Sequence, residues 1–201
     1  SISLALSGKR TILLESDFRR PRVHKLTGID SQLGTVDVLR GHAELVDAVQ
    51  TVGIESLFVM PCGSRPKDPA ELLSRPEYEP LLEVLREEYD YVIVDTPPVL
   101  VVTDAAAVAS RVDSVILTMK LSRHTREAGR KSLDHIREMG ATVAGIVING
   151  VEESDGYGAY RYSGYQYRNA DYYYGNRNND YFADDQADAE DAELVNHITS
   201  K

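Results

Sequence analysis

One cysteine in 201 residues leaves Cys62 no partner for an internal disulfide, as suits a reducing compartment. Tryptophan is absent and phenylalanine occurs only three times. No apolar run reaches the ~18 residues that a membrane-crossing helix needs. Basic residues number 22 against 32 acidic ones, so the basic stripe of a nucleic-acid footprint is missing and nucleic acid is excluded as a partner. The five histidines, at 24, 42, 124, 135 and 197, show no metal-ligand spacing and read as surface or packing residues.

What is present is unevenly placed. Residues 1–151 carry a net charge of about −3 and residues 152–193 one of −8, with Lys201 adding +1. Nine of the twelve tyrosines fall within 157–181: Tyr157, Tyr160, Tyr162, Tyr165, Tyr167, Tyr172, Tyr173, Tyr174 and Tyr181. The residues between them are mostly Gly, Asn, Asp, Arg and Ser, without a period of 2 or 3.6, so 152–201 reads as a disordered tail. Its end, ADDQADAEDAE, reads as a solubilising acidic segment. The tyrosine cluster is either a set of phosphate acceptors or a low-complexity stretch that self-associates.

Residues 1–151 alternate short Val/Ile/Leu runs with helical patterns. Strands are expected at 11–16, 57–60, 91–95, 114–119 and 143–148, each apolar on both faces as buried parallel strands are. Helices are expected at 36–39, 44–50, 69–73, 76–88, 104–110 and 125–139, the last with Thr125 as N-cap and Gly140 as its end. Alternating strand and helix predicts a doubly wound, mostly parallel α/β sheet. Cys62, between a strand and Gly63, reads as a buried small hydrophobe.

Two acidic motifs stand at the ends of strands. In YDYVIVDTPP four apolar residues lead into Asp95, at the carboxyl edge where parallel sheets bind ligands. Asp95 there either holds a metal or caps the turn through Thr96, Pro97 and Pro98. In TILLESDFRRPR, Glu15 and Asp17 are two apart and share a side of an extended chain. With Asp95 they make a carboxylate group suited to one metal and one reacting hydroxyl, while Arg19 and Arg20 suit phosphate or a neighbouring subunit. A charged loop leaving a sheet accounts for the same residues.

ILLESDFR resembles the Walker A′ motif, and VIVDTPP the Walker B motif, of the bacterial tyrosine kinases (BY-kinases), a deviant branch of the P-loop NTPases that also holds division-site and partitioning ATPases. RPKDPAELLSRPEY and VAGIVINGV match further segments of that family, and the tyrosine-rich end completes the pattern. The likeness covers essentially all of residues 1–181. It implies ATP and Mg²⁺ as cofactors, with Asp17 and Asp95 on the metal and Glu15 as activator of the incoming tyrosine hydroxyl. It also places Arg19 and Asn149 at the nucleotide. Local sequence alone makes Asn149 equally a turn residue before Gly150. The family usually has Asp where Glu15 stands, and a longer side chain moves the carboxylate by about an angstrom, which can cost about 100-fold in rate.

A larger departure is that G-x-x-x-x-G-K-[ST] occurs nowhere in the chain. In the family that loop directly precedes a segment like SISLALSGKR, so the chain is expected to be the C-terminal portion of a kinase. The missing piece would include a strand beside the Walker B strand.

The resemblance implies an autokinase that phosphorylates its own tyrosine cluster in trans within a ring-shaped homo-oligomer and regulates exopolysaccharide synthesis and export. It places the parent protein at the cytoplasmic side of the bacterial inner membrane. The implied partners are a membrane activator (chain-length-determinant) domain and a tyrosine phosphatase. A partitioning-type ATPase switch and an inactive adaptor without turnover remain as alternatives.

Overall fold

The computed structural model describes residues 1–121 and 125–150. The tail at 152–201, its nine tyrosines, the boundary at Val151, His124 and His197 lie outside the described residues. Two compact units divide the rest, Ser1–Val112 and the residues from Asp113 onward.

The first unit runs α1 (Ile2–Leu6), β1 (Thr11–Glu15), α2 (Val23–Thr27), α3 (Thr35–Leu39), α4 (Leu45–Ala48), β2 (Gln50–Thr51), β3 (Leu57–Met60), α5 (Pro69–Ser74), α6 (Tyr78–Glu88), β4 (Tyr91–Asp95) and α7 (Asp104–Ala109). Its sheet has the order β2-β3-β1-β4, with β1 parallel to both β3 and β4 and only the two-residue β2 antiparallel. Four of the five residues of TILLE are buried, because β1 is flanked by strands on both edges and covered on both faces. Strand β1 ends at Glu15, one residue earlier than expected, and the Ser16 amide makes the last bond of the ladder with β4, to the carbonyl of Asp95 at 2.8 Å.

Helix α6 supplies much of the core. Tyr78, Leu81, Leu82 and Leu85 follow the i, i+3, i+4, i+7 spacing of one helical stripe, and all four are buried with Ile12, Leu14, Met60 and Leu73. Arg111 braces this layer from outside, donating to the carbonyls of Leu73 and Ser74 and lying 5.8 Å from the centre of the Tyr78 ring. Cys62 is fully buried as expected, and burial pushes its thiol up to about 12.

A tight knot closes β3 against α3. Asp37 Oδ2 accepts the amides of Gly34 (3.1 Å) and Ser64 (3.0 Å). Chain meets chain so closely here that a Cβ on Gly34 would lie 2.1 Å from the Pro61 carbonyl oxygen, and Gly63 sits at φ +77°. Only glycine fits either place.

In the second unit β5 (Val115–Lys120) and β6 (Val143–Asn149) pair in parallel, and α8 (Thr125–Glu138) packs on them. Gly129 permits the close approach, since a Cβ there would lie 2.6 Å from Met119 Sδ. The Thr125 hydroxyl donates to the Lys120 carbonyl at 2.7 Å and ties the helix start to the end of β5. Each unit has its own ladder, β2-β3-β1-β4 in the first and β5-β6 in the second. Among the described residues no strand pairs with the outer edge of β4, where Tyr91 is 43% exposed.

Removing most of the Leu85 side chain should leave a cavity under α6. Leu85→Ala is expected to cost about 2–5 kcal/mol in urea unfolding, against less than about 0.5 kcal/mol for Val84→Ala on the 42% exposed face.

Candidate active site at the carboxyl ends of β1 and β4

Glu15 and Asp95 are register partners at the last rung of the β1–β4 ladder, so both carboxylates emerge at the same sheet edge. Parallel strands that end together here leave the following loops to form a rim. The loop after β1 carries Asp17, Arg19 and Arg20, and the loop after β4 leads to α7.

Glu15 is wholly enclosed at 0% exposure. Its Oε1 accepts the amides of Arg22 (2.6 Å) and Val23 (2.7 Å), where α2 begins, and its Oε2 accepts the amide of Cys62 (2.8 Å), just past β3. Burial raises its pKa, opposed by those three amides. Glu15, expected to activate an incoming tyrosine hydroxyl, thus has both oxygens bonded to backbone amides. The methylene that Glu has beyond Asp extends its reach toward two segments at once.

Asp17 is half-buried in the loop itself. Its Oδ1 accepts the amides of Arg19 (3.2 Å) and Arg20 (3.0 Å), an Asx-type turn that fixes the carboxylate. Asp95 is exposed at the strand end, yet its pKa is raised to about 6. Loss of hydration is the largest cause, followed by the negative charges of Asp17 and then Glu15. The negative charges of Asp17 and Glu15 bearing on Asp95 suit a divalent cation beside it, which would relieve that repulsion. Among the described residues no ready-made group of three or more His, Cys, Asp or Glu ligands is assembled, so Asp17 and Asp95 would hold such an ion with ligands from elsewhere.

Arg19, expected at the nucleotide, directs its guanidinium to Asp104. Nε lies 2.8 Å from Oδ2 and Nη2 2.9 Å from Oδ1, a two-pronged pair with a carboxylate of 0% exposure. Asp104 was not singled out from sequence. It is eighty-five positions from its partner, and an Asp opening a helix gives no sign of such a contact. Tyr78 was likewise unforeseen as a site neighbour; its hydroxyl meets Ser16 Oγ at 2.8 Å in the core, and burial lifts its pKa to about 12. Asn149 ends β6 in the second unit, exposed, with its carbonyl accepting the Leu121 amide at 2.7 Å. Its position is described within that unit alone.

Two stability changes follow. A carboxyl whose folded pKa is raised contributes stability below its ordinary range and loses it as pH rises through the folded value, here about 6 for Asp95. Asp95→Asn should therefore raise the melting temperature of the metal-free protein at pH 7.5 and have little effect at pH 4, a difference read by thermal melts at the two pH values. Glu15→Gln would set an amide donor against one of the buried N–H groups that Glu15 now satisfies. It should destabilise by about 1–3 kcal/mol in urea unfolding at pH 7.

No family model matches the chain. It is 32% identical over 158 residues to the tyrosine-protein kinase CpsD of Streptococcus agalactiae, a match covering 77% of this chain and 68% of that protein. Against longer tyrosine-protein kinases, such as wzc of Salmonella typhi at 31% identity, the chain spans 22% of the relative's length. The kinase domain of the Escherichia coli tyrosine kinase ETK superposes with a TM-score of 0.73 at 33% identity, covering 82% of this chain and 64% of that one. The septum site-determining protein MinD of Pyrococcus horikoshii, complexed with Mg-ADP, matches at a TM-score of 0.62 and 19% identity, and so shares the P-loop NTPase fold. With CpsD matched over two thirds of its length and the ETK kinase domain over most of this chain, the protein belongs to the bacterial tyrosine kinase family.

Proposed function

We propose that this chain forms the greater part of an ATP-dependent protein-tyrosine kinase domain, with Asp17 and Asp95 as the carboxylates that hold Mg²⁺. The observation that carries this reading is the meeting at one rim of Asp95, which ends β4 beside Glu15, and Asp17 in the loop just after β1, where the negative charges of Asp17 and Glu15 bear on Asp95. Bound Mg²⁺ with ATP would neutralise charge on the β- and γ-phosphates. The protein's part is positioning: β1 and β4 bring the two aspartates to one edge, and the Asx-type turn orients Asp17. We assign Glu15 to holding the loop between them and α2. Arg19 would reach a nucleotide only from the position in which Asp104 holds it, and Asn149 is assigned to the adenine.

The phosphate-cradling loop, absent from this sequence, would be supplied by chain outside these residues, and the outer edge of β4 is where its strand would pair. The acceptors are the tyrosines of 157–181, phosphorylated in trans by a neighbour in a homo-oligomeric ring. The wider assignment is control of exopolysaccharide synthesis and export at the cytoplasmic face of the inner membrane, together with a membrane activator domain and a phosphatase that resets the tail. No helix among the described residues is long and apolar enough to cross a membrane, so a membrane link would come from elsewhere. The enclosure of Glu15 favours one second reading, an adaptor that binds without turnover.

One assay separates the two. In the full kinase, Asp17→Ala and Asp95→Ala are each expected to abolish phosphotyrosine on the tail, measured by anti-phosphotyrosine blotting with Mg·ATP, because charge neutralisation supplies most of the catalysis. Unchanged labelling in both variants would overturn the metal assignment. An unlabelled wild-type protein would establish the adaptor.

A further inference from the structure

The reaction proposed above makes no direct use of Asp104, yet Asp104 is the most completely buried charge at the rim after Glu15. At 0% exposure its carboxylate needs a bonded partner, and Arg19 serves with two parallel N–H donors. Net stability is a poor explanation for this arrangement. Buried ion pairs seldom stabilise more than a well-packed apolar pair of the same volume would. What a two-pronged pair adds is direction: it fixes the plane and position of the guanidinium.

Arg19 is also the residue whose amide bonds Asp17. Its backbone N–H donates to Asp17 Oδ1 at 3.2 Å while its side chain grips Asp104 at 2.8 and 2.9 Å. One residue thus joins two carboxylates, one buried and one at the rim. Asp104 opens α7 at the end of the connection that starts from Asp95. The contact therefore ties the loop bearing Asp17 to the segment that follows Asp95.

We propose that Asp104 is a positioning residue for the cation site, which acts through Arg19 to hold the Asp17 turn in register with Asp95. It rests on the reading that Asp17 and Asp95 hold the metal. Groups that orient a metal ligand typically change metal affinity by about 10–100-fold when removed, and such a change is measurable apart from turnover.

The test is Mn²⁺ affinity of the ADP-loaded full kinase, read by electron paramagnetic resonance, beside the melting temperature of each variant. Asp104→Asn and Arg19→Lys should each weaken Mn²⁺ binding by about 10-fold or more. The paired change Arg19→Met with Asp104→Leu should recover the melting temperature and still bind Mn²⁺ weakly. Wild-type Mn²⁺ affinity in Asp104→Asn and Arg19→Lys would overturn the proposal, as would full recovery of affinity in the apolar pair, since both outcomes leave Asp104 a structural role only. If Asp104→Asn does not fold, Arg19→Lys decides. Asp17→Asn serves as the control for the underlying reading: if it binds Mn²⁺ as wild type does, the metal assignment itself has failed, whatever the Asp104 variants show.

Discussion

The way β1 leaves its sheet depends on three amides converging on the buried carboxylate of Glu15. Arg22 and Val23 bring the start of α2, and Cys62 brings the chain just beyond β3. Without these acceptors, three N–H groups would be buried or half-buried with nothing to bond, each at a cost of about 1–3 kcal/mol. With them, the six residues between Glu15 and Arg22 are a short loop clamped at its base. The rim carrying Asp17 and Arg19 has its shape because that base is fixed. Thr35 reinforces the same junction, its hydroxyl lying within hydrogen-bond distance of the Glu15 and Pro61 carbonyls.

A second level of order sits on this clamp. The Asx-type turn at Asp17 uses amides from its own loop, whereas the Arg19–Asp104 pair reaches across to α7. Asp95 needs neither; its place follows from the strand it ends. The rim therefore combines one carboxylate set by a sheet ladder with one set by side-chain contacts, and the second is the one more open to mutational displacement.

Much of this architecture was legible in the sequence, and the reasons differ by element. Strands β1, β3, β4, β5 and β6 announced themselves as apolar runs, because burial on both faces leaves little room for polar residues. Helix α6, expected over 76–88, runs from Tyr78 to Glu88. The two-residue β2, inside a stretch expected to be helical as far as Gln50, and the five-residue α2, inside a basic cluster, are too short for any period to register. At the site, the strand-end places of Glu15 and Asp95, and of Asp17 in the loop just after, were legible. The contacts of Glu15 and Asp104 were not, since their partners are distant in the chain, forty-seven positions for Cys62 and eighty-five for Arg19. Local pattern carries no record of such meetings.

An enzyme family that modifies tyrosine faces a problem of self-discrimination, and the core answers part of it. Tyr78 is fully enclosed, its hydroxyl bonded to Ser16 and its proton held up to about 12, and Tyr89 is 8% exposed beneath the Arg10 guanidinium. Tyr91 is more open, but its backbone is locked into the β4 ladder and does not extend into a cleft. Shielding by folding thus sets these scaffold tyrosines apart without any sequence code around them. A partly unfolded copy would lose that immunity, so phosphate found on Tyr78 would record a molecule that had opened.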